Sequence, residues 1–286
     1  MKGLHILFIM LVGGMFFFPT KAQETISIGT RYCIFSQVLN EERDYWIYKP
    51  ETQPGESERS YPVLYLLDGD SFFHSVVGFT RMFSSSKVSS LPPCIVVAVL
   101  NTDRTRDLTP TSSAARRDGT VHAGEKQEGG GAELFYRFLI EELRPEIEKQ
   151  FPVDGQNFLV GHSYAGLFTL HVLLTHPEAF DTYMALDPSL WWDQGYFMKQ
   201  TEEKIKMSDF SGKQLYVGFA TQPRPGKNLI HFPLVDSFLE TIVPGMEKQH
   251  LRVISRKFPE ETHGTIALPG IYDGLKSLFG ISRQYQ

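Results

Sequence analysis

Apolar residues along this chain keep two alternating rhythms. Short unbroken runs, Val63-Leu64-Tyr65-Leu66-Leu67, Cys94 to Leu100 and Phe158 to Val160, alternate with stretches such as Phe72 to Phe83 and Glu133 to Gln150. An unbroken run predicts a strand covered on both faces, and a three-to-four repeat predicts an amphipathic helix. Two strands are expected over Ile26 to Val38 and Asp44 to Tyr48, joined around Asn40 to Arg43 as an antiparallel pair at the sheet edge. Three more are expected over Phe180 to Leu186, Gln214 to Ala220 and Leu251 to Phe258, with helices over Leu167 to Leu174, about Leu229 to Ile242, and on to Phe279. The helix ending at Gln150 should bend or break near Pro145, whose nitrogen has no hydrogen to donate. Strands alternating with helices predict an α/β fold with a mostly parallel sheet, right-handed crossovers and helices on both faces. Asn101 to Gly131 shows no periodicity and is long for a connection, which marks a functional or mobile loop.

The first 22 residues break this pattern. Lys2, an apolar stretch from Leu4 to Phe18 and the small-x-small site Thr20-Lys21-Ala22 predict an export signal over 1–22, leaving 23–286 as one domain. The apolar stretch is short for a spanning helix, so no stable membrane anchor is expected. Removing Lys2 and Lys21 makes the formal net charge of −5 more negative still. Without a basic patch, nucleic acid is not an expected partner. Cys33 and Cys94 are compatible either with one disulfide or with two separate thiols. There is no zinc-like Cys/His spacing and no phosphate-cradling glycine loop, so neither metal nor cofactor is expected.

Candidate chemistry centres on Gly161-His162-Ser163-Tyr164-Ala165-Gly166, where a strand turns sharply into a helix. In that setting a serine hydroxyl is held out at the sheet tip as a nucleophile, and small neighbours permit the bend. The bland alternative is a helix N-cap serine. A serine nucleophile needs a base, and of the nine histidines His263 follows the last strand at the carboxyl end of the sheet. His162 is expected to point away from the nucleophile, and His171, His176, His231 and His250 are expected to be satisfied or solvated. The backbone N–H of Tyr164 would form half of an oxyanion hole. Asp70 would supply the other half from the loop after Leu67, where Gly69 lets the chain turn.

Tyr61-Pro62-Val63-Leu64-Tyr65-Leu66-Leu67-Asp68-Gly69, Asn101 to Asp107, the Ser163 elbow, Pro188-Ser189-Leu190-Trp191-Trp192 and Thr262-His263-Gly264 together resemble one family. It is the esterase D branch of the α/β-hydrolases, with its siderophore, feruloyl and acetyl-xylan esterases and mycolyltransferases. The resemblance implies the α/β-hydrolase fold, a cofactor-free serine esterase, and Asp70 as an oxyanion donor. Many members place the triad acid directly after the strand that ends here at Ala220, but Thr221 to Asn228 contains no carboxylate. Similarity to the mycolyltransferases points to Asp236 in the next helix. The alternatives are an ordinary early-helix aspartate and a Ser163–His263 dyad. Arg104 and Arg106 either hold an anionic substrate group or stiffen their loop by pairing with Asp103 and Asp107. Trp191 and Trp192 either stack on an acyl group or sugar or belong to the core. Tyr164 is expected to line the acyl pocket. The expected partner is a small-molecule or glycan-linked ester, either of siderophore type or from plant polysaccharide. The rival from another class is a hydrolase fold that binds without catalysing.

Overall fold

The computed structural model describes residues 25–51, 59–85, 88, 91–116, 118, 120–121, 124, 126–222 and 230–279. The expected export signal therefore lies outside the described residues, as does most of the run from Thr221 to Asn228. The main strands are β1 (Thr30–Ser36), β2 (Glu41–Tyr48), β3 (Tyr61–Leu66), β4 (Ile95–Val99), β5 (Val153–His162), β6 (Thr182–Leu186), β7 (Gln214–Ala220) and β8 (Arg252–Phe258). They form one sheet in the order β1-β2-β4-β3-β5-β6-β7-β8. β1 pairs with β2, and β2 with β4, antiparallel, while every other neighbouring pair is parallel. This is the α/β-hydrolase arrangement.

The unbroken apolar runs have the expected cause. Successive side chains point to opposite faces of a strand, so a strand buried on both faces must be apolar throughout. In β3, Val63 and Tyr65 enter one core while Leu64 and Leu66 enter the other. In β4, Ile95, Val97 and Val99 alternate with Val96 and Ala98 in the same way.

The helices are α1 (Gly69–Ser84), α2 (Arg104–Leu108), α3 (Ala132–Arg137), α4 (Arg144–Gln150), α5 (Tyr164–Thr175), α6 (Trp192–Lys206), α7 (His231–Ser237), α8 (Val243–Lys248) and α9 (Ala267–Leu278). α1 and α9 cover one face of the sheet, and α3 to α8 supply the core of the other. Helical structure runs through Pro145 rather than breaking there. A π-type turn over Phe138–Leu143 joins α3 to α4, and its wider hydrogen-bond step accommodates the missing donor. The same device recurs at Phe238–Ile242, before Pro244 in α8.

Part of the loop after β4 is ordered by α2 and by a two-residue ladder, Ser112–Ser113 with Glu128–Gly129. Both thiols are free, Cys33 exposed on β1 and Cys94 buried just before β4. Among the described residues no helix is long and apolar enough to cross a membrane.

Candidate active site

Three neighbouring strands lead, at their carboxyl ends, into residues with left-handed backbone. These are Asp68 (φ 53) beyond β3, Ser163 (φ 63, ψ −117) after β5 and Asp187 (φ 40) after β6. None is glycine, and such conformations cost on the order of 1–3 kcal/mol each. These three residues stand where the strands point their last side chains. At the elbow a β-carbon on Gly161 would sit 2.3 Å from the Ala165 carbonyl oxygen, and one on Gly166 would sit 3.0 Å from that of Leu186. The bend therefore requires its glycines. The Asp68 turn works differently from expectation, because Asp68 itself takes the positive φ. Gly69 is needed for space, since a β-carbon there would lie 2.8 Å from Ala98.

His263, in the turn after β8, sits between Ser163 and an aspartate. Its Nε2 is 3.0 Å from Ser163 Oγ, and its Nδ1 is 2.5 Å from Asp187 Oδ2. A carboxylate only accepts, so Nδ1 carries the proton and Nε2 is left to accept from the serine hydroxyl. Asp187 is 1% exposed, and its Oδ1 accepts from the Ala220 N–H at 3.2 Å and from His231 Nε2 at 3.2 Å. Burial opposes ionisation, but hydrogen bonds from His231 and His263 outweigh it and hold the carboxyl well below the usual carboxylate range. His162 supports the site from beside His263, with the two ring centres 4.8 Å apart. Its Nε2 donates to the His263 carbonyl at 2.8 Å, and burial, then the neighbouring His263, push its pKa down to about 4.

Asp236 does not reach His263. It lies on the outward side of α7, exposed, with Oδ1 3.0 Å from Lys257 Nζ. The inward side of that helix carries His231 and Val235, and Asp236 is one position further round. The acidic position is filled instead by Asp187, directly after β6, a residue the sequence reading did not weigh as the acid. Its available signal was an aspartate placed directly after a strand at the carboxyl edge. The histidine expected to be bland, His231, also belongs here.

Tyr164 opens α5 and Asp70 stands in the first turn of α1, so both backbone N–H groups sit at helix starts beside Ser163's side of the sheet. Arg104 braces the protein through a partner other than Asp103 or Asp107. Its Nε and Nη2 fork both oxygens of Asp68 at 2.6 and 2.8 Å, and Asn101 Nδ2 adds a third bond at 2.8 Å. Its Nη2 also donates to the His162 carbonyl at 3.3 Å, and its guanidinium lies 5.2 Å from the Tyr164 ring centre. Arg104 therefore ties the Asp68 turn to the Ser163 elbow. Arg106 pairs with Asp107 and Glu41.

A cavity of about 440 Å³ opens beside the elbow, lined among others by Thr105, Arg116, Lys126, Tyr164, Trp191 and Trp192. Trp191 is 7% exposed, with its centroid 5.9 Å from that of Tyr164. Trp192 fastens the long loop by donating Nε1–H to the Thr111 carbonyl at 3.0 Å. The arrangement can take a proton from Ser163, hold a developing oxyanion and seat an aromatic or anionic group nearby.

Residues 36–213 match the family model described as Putative esterase. An IroE-like serine hydrolase from Shewanella oneidensis is 35% identical and superposes with a TM-score of 0.79, over 88% of this chain and 80% of that one. The ferri-bacillibactin esterase of Bacillus subtilis is 35% identical over 180 residues, 59% of this chain and 62% of its own length. The siderophore enterobactin esterase of Emericella nidulans is 34% identical over 160 residues, 52% of this chain and 53% of its own. The chain thus spans between about half and two-thirds of the length of these two curated relatives. With the family model matching more than half of the sequence and a serine hydrolase alike in both sequence and fold, this chain belongs to the Putative esterase family.

Proposed function

We propose that the protein is a serine esterase that hydrolyses siderophore-type carboxylic esters through an acyl-enzyme. The observation that carries this is the continuous line from Ser163 Oγ through the His263 ring to the buried Asp187 carboxylate. In this reading Ser163 Oγ attacks the ester carbonyl while His263 Nε2 takes its proton. Asp187 holds the tautomer and stabilises the imidazolium that forms. The N–H groups of Tyr164 and Asp70 receive the oxyanion. As the carbonyl re-forms, the leaving alkoxide departs with the proton from His263. Water then attacks the acyl carbon, giving a proton to His263; as the carbonyl re-forms, the bond to Ser163 Oγ breaks, Oγ takes that proton back from His263, and the acid leaves.

The substrate class follows the relatives, which are named for bacillibactin and enterobactin. The cavity suits such esters, since its lining includes the aromatic Tyr164 and Trp191 and the basic Arg116 and Lys126. The segment 1–22 acts as an export signal, so the mature protein should begin at Gln23, and mass spectrometry of the exported protein tests that. For the chemistry, purified enzyme is incubated with apo and ferric tris-catecholate trilactones, and linear products are counted by chromatography. A fluorophosphonate should add its mass to Ser163, and Ser163→Ala should lose that label and about 10⁶ of kcat. Unlabelled protein that leaves every trilactone intact would favour a binding role instead.

A further inference from the structure

The two oxygens of Asp187 are used differently. Oδ2 faces His263, whereas Oδ1 lies between the Ala220 N–H at the end of β7 and His231 Nε2 at the start of α7. His231 is 1% exposed, and its Nδ1 has no hydrogen-bond partner among the described residues. A buried imidazole with one nitrogen unsatisfied is a costly way to fill space, so its contact with Asp187 is the feature that needs an explanation.

We propose that His231 is a positioning residue for the ester hydrolysis, acting through Asp187 rather than on substrate. This rests on the assignment of Ser163, His263 and Asp187 as the reacting set. A carboxylate turns easily about its last bond, because that torsion is broad and roughly two-fold. Donors from two separate elements, β7 and α7, fix the carboxylate plane so that Oδ2 is aimed at His263 Nδ1. His231 also draws part of the negative charge toward Oδ1. Without it the plane loosens, and the full charge is left to favour the His263 imidazolium. Turnover then falls, and the base stays protonated to higher pH.

Among the described residues, the other titratable groups facing this pair are few. His162, with its ring centre 4.8 Å from that of His263, donates to the His263 carbonyl. Asp68 is more distant and is clamped by Arg104. Lys257 is turned outward onto Asp236. None of them touches His231, so replacing it leaves these contacts in place.

The test uses three variants of the full-length enzyme, with kcat, KM and the acid limb of kcat/KM measured on p-nitrophenyl butyrate. His231→Gln keeps a donor near the position of Nε2 and should stay within about threefold of wild type, with the acid limb unmoved. His231→Leu fills the space without a donor, and should lose about 10- to 100-fold in kcat with KM little changed. Its acid limb should move to higher pH. His231→Asn, polar but too short to reach Oδ1, should behave like the leucine variant, which keeps the test decisive if leucine prevents folding. The proposal is overturned if the leucine or asparagine variant matches wild type in both kcat and acid limb. It is also overturned if glutamine is as damaging as the other two, because bulk rather than the donor would then matter. Ser163→Ala and His263→Ala are assayed alongside. Activity surviving in those would refute the assignment of the site itself, a different failure from that of His231.

Discussion

Among the described residues, Ser163 Oγ hydrogen-bonds with His263 Nε2 at 3.0 Å and Ser189 Oγ at 3.3 Å. The hydroxyl has one proton, and His263 accepts it, so Ser189 is left as donor to the nucleophile. Such a bond strengthens as the oxygen gains negative charge, which makes Ser189 a contributor to turnover rather than to substrate affinity. Ser189→Ala should therefore lower kcat roughly 3- to 10-fold, the worth of one neutral hydrogen bond, with KM unchanged in steady-state assays. A change confined to KM would mean that Ser189 contacts substrate instead. Gly161 is constrained by space alone. With an added methyl 2.3 Å from a backbone oxygen, Gly161→Ala should unfold at clearly lower denaturant, by at least about 1–3 kcal/mol. Urea titration followed by circular dichroism would measure it.

At the scale of elements, the sequence predicted those set by burial and misjudged those set by neighbours. β7 was readable to the residue, because Gln214 to Ala220 is an apolar run buried on both faces. β1 is shorter than its apolar pattern, since pairing with β2 covers only Thr30 to Ser36. The triad acid was misplaced for a related reason. Asp187 and Asp236 are both aspartates near strand or helix ends, and only the three-dimensional order of β5, β6 and β7 decides which lies beside His263. Arg104 was read as half substrate ligand, half loop brace, yet its partner Asp68 is 36 positions away and invisible to local reasoning. That clamp carries its own prediction. Arg104→Lys cannot fork Asp68, so the Asp70 N–H should lose its aim and kcat should fall about 10-fold or more while KM moves little. If Arg104 gripped an anionic substrate instead, KM for a catecholate ester would rise and kcat would hold, which steady-state kinetics separates.

For the whole molecule, the two cores and the sheet order bring Asp68, Ser163, Asp187 and His263 from four separate strand ends to one place. The fold class was legible because a doubly covered parallel sheet leaves a strong apolar signature, and so was the Ser163–His263 pairing, which follows from chain order and strand ends. The supporting histidines were not, because nothing local distinguishes His231 from a solvated helix residue. This packing has a pH consequence. His162 has a folded pKa of about 4, below the ordinary 6.5, so the unfolded chain binds the extra proton between those values. The stability it contributes is complete above about pH 6.5 and is lost as the pH falls toward 4. Between pH 7 and 5, wild type should lose roughly 1–2 kcal/mol more than His162→Gln in urea unfolding. Equal losses would show that His162 does not sense pH in this way.

Which carboxylate serves His263 is decided by the turnover of Asp187→Asn beside that of Asp236→Asn. Both variants should fold, and both are assayed on the same tris-catecholate trilactone across pH. Asp187→Asn should lose about 10⁴ in kcat, as expected when the base loses its tautomer and its counter-charge. Asp236→Asn, which gives up only an exposed pair with Lys257, should remain within about twofold. Full activity in Asp187→Asn, or a collapse in Asp236→Asn, would contradict the site as described.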